Sequence, residues 1–137
     1  MSCGPRTTTS RGEPARRRWR FYETPAGRKP VRDFLDGLSG DDLAAVLAAM
    51  RDVAHNGLAA ARHLRGDIHE VREDGDRQTF RILFAAEGQN RQVLLALEGF
   101  SKKTRKTPPA LIELAERRLA EEADTAGRVL RPADDDE

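Results

Sequence analysis

The sequence predicts an α+β domain in which two helices precede three antiparallel strands and a third helix follows, all packed on one small sheet. Three observations carry this. Leu43, Val46, Leu47, Met50, Val53 and Ala54 recur at helical spacing. Three strand-like runs follow within residues 67–100, separated by the turn-forming stretches DGD and GQN. Pro108 and Pro109 then open a last segment in which Leu111, Leu114, Ala115 and Leu119 share one helical face.

Taken in order, RWRFYET, around residues 19–24, has the aromatic, alternating character of a first strand. PAGRKP breaks the chain, and VRDFLDGL forms a short helix with Val31, Phe34, Leu35 and Leu38 on one side. Ser39 or Asp41 can cap the second helix by accepting from its free N–H groups, and Asn56-Gly57 ends it. The strands are expected at 67–73 (DIHEVRE), 77–87 (RQTFRILFAAE) and 91–100 (RQVLLALEGF). Val93 to Leu97 is wholly apolar, as suits a strand covered on both faces.

The chain has 137 residues and a formal net charge of +1, so bulk charge does not announce a nucleic-acid ligand. Its charge is unevenly placed. Residues 1–19 carry five Arg against Glu13, and residues 124–137 carry two Arg against five acids. The expected division is a basic arm without regular structure at 1–18, a folded domain at 19–123 and a disordered acidic tail at 124–137. A single cysteine, Cys3, excludes an internal disulfide, and no apolar run is long enough to cross a bilayer. With no apolar leader at the N-terminus, the expected location is the cytoplasm.

The middle of the chain is charge-neutral, so any functional charge there must be local. Lys102, Lys103, Arg105 and Lys106 fall between the last strand and the last helix. Alternation puts Phe80, Ile82 and Phe84 on one side of their strand and Thr79, Arg81, Leu83 and Ala85 on the other. Pairing across DGD would bring Arg72, which shares a face with Ile68 and Glu70, beside Arg81. Arg62, His63 and Arg65 would add a rim. Such a groove suits an anionic polymer, because Arg and Lys neutralise phosphates and Arg grips two oxygens at once. The plainer account is surface ion pairing of Arg72 and Arg81 with Glu70 and Glu73.

Other motifs carry less. His55, His63 and His69 lack metal-ligand spacing, and there is neither a phosphate loop nor a dinucleotide-binding glycine pattern. No metal and no cofactor is expected. Trp19 and Tyr22 suit packing better than base stacking, and Met50 suits the core.

Taken together, HLRGDIHEVRED, TFRILFAAEG and VLLALEGFSKKTRKTPPALIELAERRL resemble the phage-derived branch of the RelE/HigB-like toxins, within the RelE/ParE superfamily. That branch carries a Leu-x-Gly-x-(Leu/Ile)-(Trp/His)-Glu-x-Arg segment, an aromatic-Arg-(Ile/Val)-(Leu/Phe) segment and a Phe-x-Lys-Lys-Thr-x-Lys-Thr-Pro segment. Phe100, Lys102, Lys103, Thr104, Lys106, Thr107 and Pro108 match the last. The resemblance covers roughly residues 19–123 and neither tail. It implies a RelE/ParE-like fold, cleavage of mRNA within a translating ribosome, and neutralisation by an antitoxin that is often a helix-turn-helix protein.

Carried over by position, the resemblance places Arg72 and Arg81 at the strand arginines and His63 and Arg65 in a contributing loop. It places Lys102 and Lys103 near the scissile phosphate. The expected catalytic set is therefore Arg72, Arg81, Lys102, Lys103 and His63, with Arg62, Arg65, Arg105 and Lys106 holding RNA. Several relatives carry a Tyr or His near the C-terminus as acid or base. Here no His follows His69, and the one Tyr is Tyr22. Proton transfer then falls to His63, to His69, to a lysine or to the ribosome, and the residues leave the choice open. That gap sustains an alternative, a non-catalytic toxin or regulator of the same fold that binds a protein such as a gyrase.

Overall fold

The structure is a computed structural model that describes the backbone of residues 17–75, 77–103 and 106–135, with side chains through residue 123 except that of Gln89. The basic arm before Arg17 and the side chains of the acidic tail lie outside the described residues, as does Arg105.

The elements are β1 (Arg18–Phe21), α1 (Pro30–Asp36), α2 (Gly40–Asn56), β2 (Arg62–Arg65), β3 (Ile68–Asp74), β4 (Thr79–Glu87), β5 (Val93–Lys102) and α3 (Pro109–Asp135), with short 3₁₀ turns at Gly57–Ala60 and Gln89–Arg91. The expected α+β class is borne out, with α3 continuing into the stretch read as an acidic tail. The strands form one sheet in the order β1-β5-β4-β3-β2. All neighbours run antiparallel except β1, which pairs parallel to β5 from Arg18 beside Val93 to Phe21 beside Ala96.

β2 stands where the resemblance implies a loop. Arg62-His63-Leu64-Arg65 lies at the sheet edge and only Leu64 is partly buried, so it has no apolar alternation to reveal a strand. Charged edge residues of this kind also discourage pairing with another chain.

The central strands β4 and β5 are largely apolar from Ile82 to Ala86 and from Val93 to Leu97, because both their faces are covered there. On one face α1 and α2 bury Val31, Leu35, Val46, Met50 and Val53 against Val71, Phe80, Ile82, Phe84, Leu94 and Ala96. On the other, Ala115 of α3, with Leu111, Ile112 and Leu119, covers Tyr22, Ile68, Leu83, Ala85, Leu95, Leu97 and Phe100. Each fully buried large side chain contributes about 1.5–3 kcal/mol. Leu47, expected in the buried stripe of α2, is instead 38% exposed on its outer side. Trp19 is a packing residue: its ring meets Phe84 edge-on at 5.0 Å and its Nε1–H donates to the Met50 carbonyl at 2.8 Å.

Local chemistry sets the element ends. The Ser39 hydroxyl accepts from the Asp42 N–H at 3.3 Å to start α2, and Gly57, at φ +83°, ends it where a side chain would be strained. α3 begins at Pro109, with the Leu111 N–H donating to the Pro108 carbonyl at 3.0 Å. Polar ties then fasten α3 along the sheet, beyond the Arg65–Glu116 contact at its edge. Arg118 donates to the Leu97 carbonyl and the Glu98 carboxylate, the Tyr22 hydroxyl donates to Glu121 at 2.6 Å, and Arg20 bridges Glu122 and Glu87. A register slip between Leu83 and Phe84 gives β5 one extra residue, so Leu97 joins the α3-side core while adjacent Glu98 meets Arg118. These ties fix where the N-terminus of α3, and the basic turn before it, stand on the sheet.

Candidate nucleic-acid interface

Arg72 and Arg81 are direct cross-strand partners in the β3–β4 ladder, and Arg81 in turn faces Phe100 on β5. Residues directly opposite share a face, so these stand on the α3 side of the sheet, as alternation predicts. The same ladders add Arg62 opposite Glu70 on one side and Thr79 opposite Lys102 on the other. One end of the sheet therefore carries Arg62, Arg72 and Lys102 in a band across four strands. Lys103 and Lys106 follow in the turn toward α3, and all three lysines are exposed.

The two strand arginines differ sharply in setting. The Arg72 side chain is 30% exposed, with Nε 3.9 Å from Asp74 Oδ1. Arg81 is fully buried. Its Nη1 donates to the Thr107 hydroxyl at 2.8 Å and lies 3.7 Å from Glu70 Oε2, and the same hydroxyl donates to that carboxylate oxygen. Burial, above all, pulls the Arg81 guanidinium below its ordinary value; Glu70 opposes this, and the nearby cations Arg72 and Arg62 add to it. An arginine keeps its charge under such pressure. Neither account from sequence describes this arrangement. Arg81 is not presented to solvent for contact with a phosphate, and Glu70, at 1% exposure, is no surface partner.

His63 does not join the arginines. It pairs with His69, their rings lie 5.0 Å apart, and His69 in turn contacts Phe84 on the α1/α2 side of the sheet. The His63 Nε2–H donates to the Gly66 carbonyl at 2.8 Å. Alternation separates both histidines from Arg72. Burial, chiefly, lowers the His69 pKa from the ordinary imidazole value; the Asp67 carbonyl opposes this, while His63 and Arg91 add to it. Arg65 turns to α3, where Nη2 and Nε reach the two Glu116 oxygens at 2.7 and 3.1 Å. That two-point grip leaves it a strut at the rim.

Sequence reasoning offered Glu70 only as a surface partner of the arginines and gave no role to Thr107 or Asp74, which the structure places beside them. The signals were present: Glu70 stands two residues before Arg72 on the same face, and Thr107 sits inside the Lys-Thr-Pro segment. Among the described residues no group of three or more His, Cys, Asp or Glu side chains is arranged to hold a metal ion. A cleft of about 580 Å³ lies elsewhere, between β1 and the middle of α3, lined by Tyr22, Lys29 and Glu121 among others. Arg20 in its wall is already taken by two carboxylates, so it adds no net positive surface.

Residues 33–120 match the family described as "Phage derived protein Gp49-like (DUF891)". The chain belongs to this Gp49-like family. It is also 34% identical over 100 residues to proteins named "Probable endoribonuclease HigB1" from two strains of Mycobacterium tuberculosis, CDC 1551 / Oshkosh and ATCC 25618 / H37Rv. The aligned region covers 71% of this chain and 78% of each relative. The kinship with HigB/RelE-like toxins expected from the three motifs is thereby borne out. The Gp49-like span runs from α1 into α3 and takes in the whole basic band, while β1 precedes it.

Proposed function

We propose that this Gp49-like chain is an endoribonuclease, the toxin of a type II toxin–antitoxin pair that stops translation by cutting mRNA on the ribosome. The observation that carries the reading is the band of Arg62, Arg72, Lys102, Lys103 and Lys106 at one end of the sheet, in a chain with almost no net charge. A surface that merely stays soluble does not need to concentrate its cations in one place. The kinship with proteins named as probable endoribonucleases supports RNA as the polyanion and cleavage as the outcome.

The chemistry follows from charge. When a ribose 2′-OH attacks its own phosphate, negative charge grows on the phosphoryl oxygens. Arg72, held on rigid strands, meets that charge, and preorganised donors of this kind contribute about 3–4 kcal/mol each to the transition state. Lys102 and Lys103 share the work at the scissile phosphate. Lys106 and Arg62 grip flanking phosphates, and Arg105 extends the same grip. With His63 and His69 on the far face, the chain's part is to orient the RNA and stabilise charge, and the ribosome takes part in proton transfer. The partner is an antitoxin, of helix-turn-helix type, whose acidic surface competes with RNA for the band in the cytoplasm.

The test is to add purified protein to a translation reaction and map mRNA ends by primer extension. New cuts that vanish with Arg72→Ala and with a Lys102→Ala/Lys103→Ala variant are expected. Complex formation with the product of a neighbouring helix-turn-helix gene should weaken with salt and with Lys103→Glu. Intact mRNA and continuing translation, with arrest of DNA synthesis in cells, would move the protein to the gyrase-binding class.

A further inference from the structure

We propose that Glu70, Arg81 and Thr107 form a buried latch that positions the basic turn, so that Arg81 acts through Thr107 without touching the RNA. This role rests on the reading of the band as an RNA-cutting site. The three residues come from β3, β4 and the turn immediately before α3, so the contact joins the sheet to the segment that carries Lys102, Lys103 and Lys106. Lys106 is the chain neighbour of Thr107, and two prolines follow it. Fixing the Thr107 hydroxyl therefore fixes the end of the turn, because proline φ angles allow little slack on the other side.

The geometry shows why the hydroxyl matters. Arg81 Nη1 and Glu70 Oε2 are 3.7 Å apart, too far for a good hydrogen bond. The Thr107 hydroxyl closes that gap by accepting from one and donating to the other. Among the described residues Glu70 Oε1 has no hydrogen-bond partner. The carboxylate is thus held by the arginine's charge and by this one hydroxyl. A buried ion pair is a poor source of stability, since desolvation offsets its attraction, and apolar residues of equal volume would do as well. A positional role accounts for what stability does not. Glu70 also offsets the charge of Arg81, which otherwise would repel the nearby Arg62 and its cross-strand partner Arg72.

A latch and a phosphate contact leave different marks on the salt dependence of binding. Each phosphate contact adds to the slope of log affinity against log salt. Removing a cation makes that slope shallower. Releasing the latch leaves every cation available but requires the turn to be ordered on binding, which lowers affinity equally at every salt. The measurement uses a short 2′-O-methyl RNA, which lacks the attacking hydroxyl and reports binding alone.

Thr107→Val, which keeps the shape and removes the hydroxyl, should weaken binding roughly tenfold, the scale of one hydrogen bond to a charged group, with the slope unchanged. Thr107→Ser should restore wild-type affinity. Lys106→Ala should instead lower the slope by about one. Amide exchange of Lys103 and Lys106, measured without RNA, should quicken in Thr107→Val and return to normal in Thr107→Ser. Wild-type exchange in Thr107→Val, or a shallower slope with that variant, overturns the latch. Failure of the wild-type protein to bind the RNA defeats the endoribonuclease reading instead, and the exchange comparison still decides the latch by itself.

Discussion

Arg72 and Arg81 face each other across the β3–β4 ladder, yet one reaches solvent and the other is wholly enclosed. The difference comes from what lies over each. Arg81 sits on an inner strand beneath Thr107 and the start of α3, whereas Arg72 lies one strand nearer the edge, beside exposed Asp74. Equivalent register does not give equivalent access, and the two arginines should fail differently when replaced.

For Arg72→Ala the fold should survive, because its neighbour Asp74 is 78% exposed and still accepts from the Thr79 hydroxyl. Single-turnover cleavage of ribosome-bound mRNA should fall about a hundredfold at saturation, as expected when a donor aimed at the transition state is lost. A rise in KM at unchanged kcat would assign Arg72 to substrate holding instead.

For Arg81 the dominant effect should be on stability. Arg81→Met leaves the Glu70 carboxylate buried with its counter-charge gone, a change that costs about 3–5 kcal/mol. Adding Glu70→Leu removes the stranded charge and should recover most of that loss in urea unfolding. The double variant should still bind RNA poorly, since neither new side chain holds Thr107. Equal instability of the single and double variants would show that packing volume, not charge, decides the site.

Much of this arrangement was legible in the sequence, and the misses have physical causes. The Leu43–Ala54 repeat, Asn56-Gly57 and the double proline located α2 and α3, because periodicity and caps are local properties. Alternation divided Phe80, Ile82 and Phe84 correctly from Arg81 and Leu83. Depth was not legible. Alternation says which face Arg81 is on, but only the tertiary position of Thr107 says whether that face is open. The parallel pairing of β1 with β5 joins residues some 75 positions apart and leaves no local trace. The edge strand β2 buries almost nothing, so it leaves no pattern either, and missing it hid the fact that His63 pairs with His69 away from the arginines.

Gly99 tests how closely α1 approaches the sheet. A Cβ built there would stand 2.6 Å from Phe34 Cδ2 and 2.9 Å from Phe34 Cγ. Phe34 is half-buried against the α1/α2-side core, and its Cβ also stands 3.2 Å from the added atom, so relief of the clash shifts α1 as well as the ring. Gly99→Ala should therefore destabilise the protein by about 1–3 kcal/mol, the usual cost of overpacking. A companion Phe34→Ala replacement should relieve the clash, so that the two changes together cost less than their sum. Additive losses would mean that the added Cβ and the Phe34 ring do not meet.

His69 gives the fold a pH dependence whose sign can be worked out. Burial lowers its folded-state pKa below the ordinary 6.5, so below that value the unfolded chain binds more protons at this position than the native protein does. Stability from neutral His69 is then fully present above about pH 6.5 and is lost as pH falls through the lower folded value. Protonation is opposed chiefly because the ring is partly buried against Phe84, with His63 and Arg91 close by. His69→Gln removes the titrating group. The wild-type Tm should therefore fall further than the variant's between pH 7.5 and pH 5.5, in the same buffers and at the same salt. The variant's cleavage activity at pH 7.5 should match the wild type's, because His69 stands on the opposite face from Arg72. Parallel losses of Tm in the two proteins would place the acid sensitivity elsewhere, and a loss of cleavage at pH 7.5 would return His69 to the catalytic candidates.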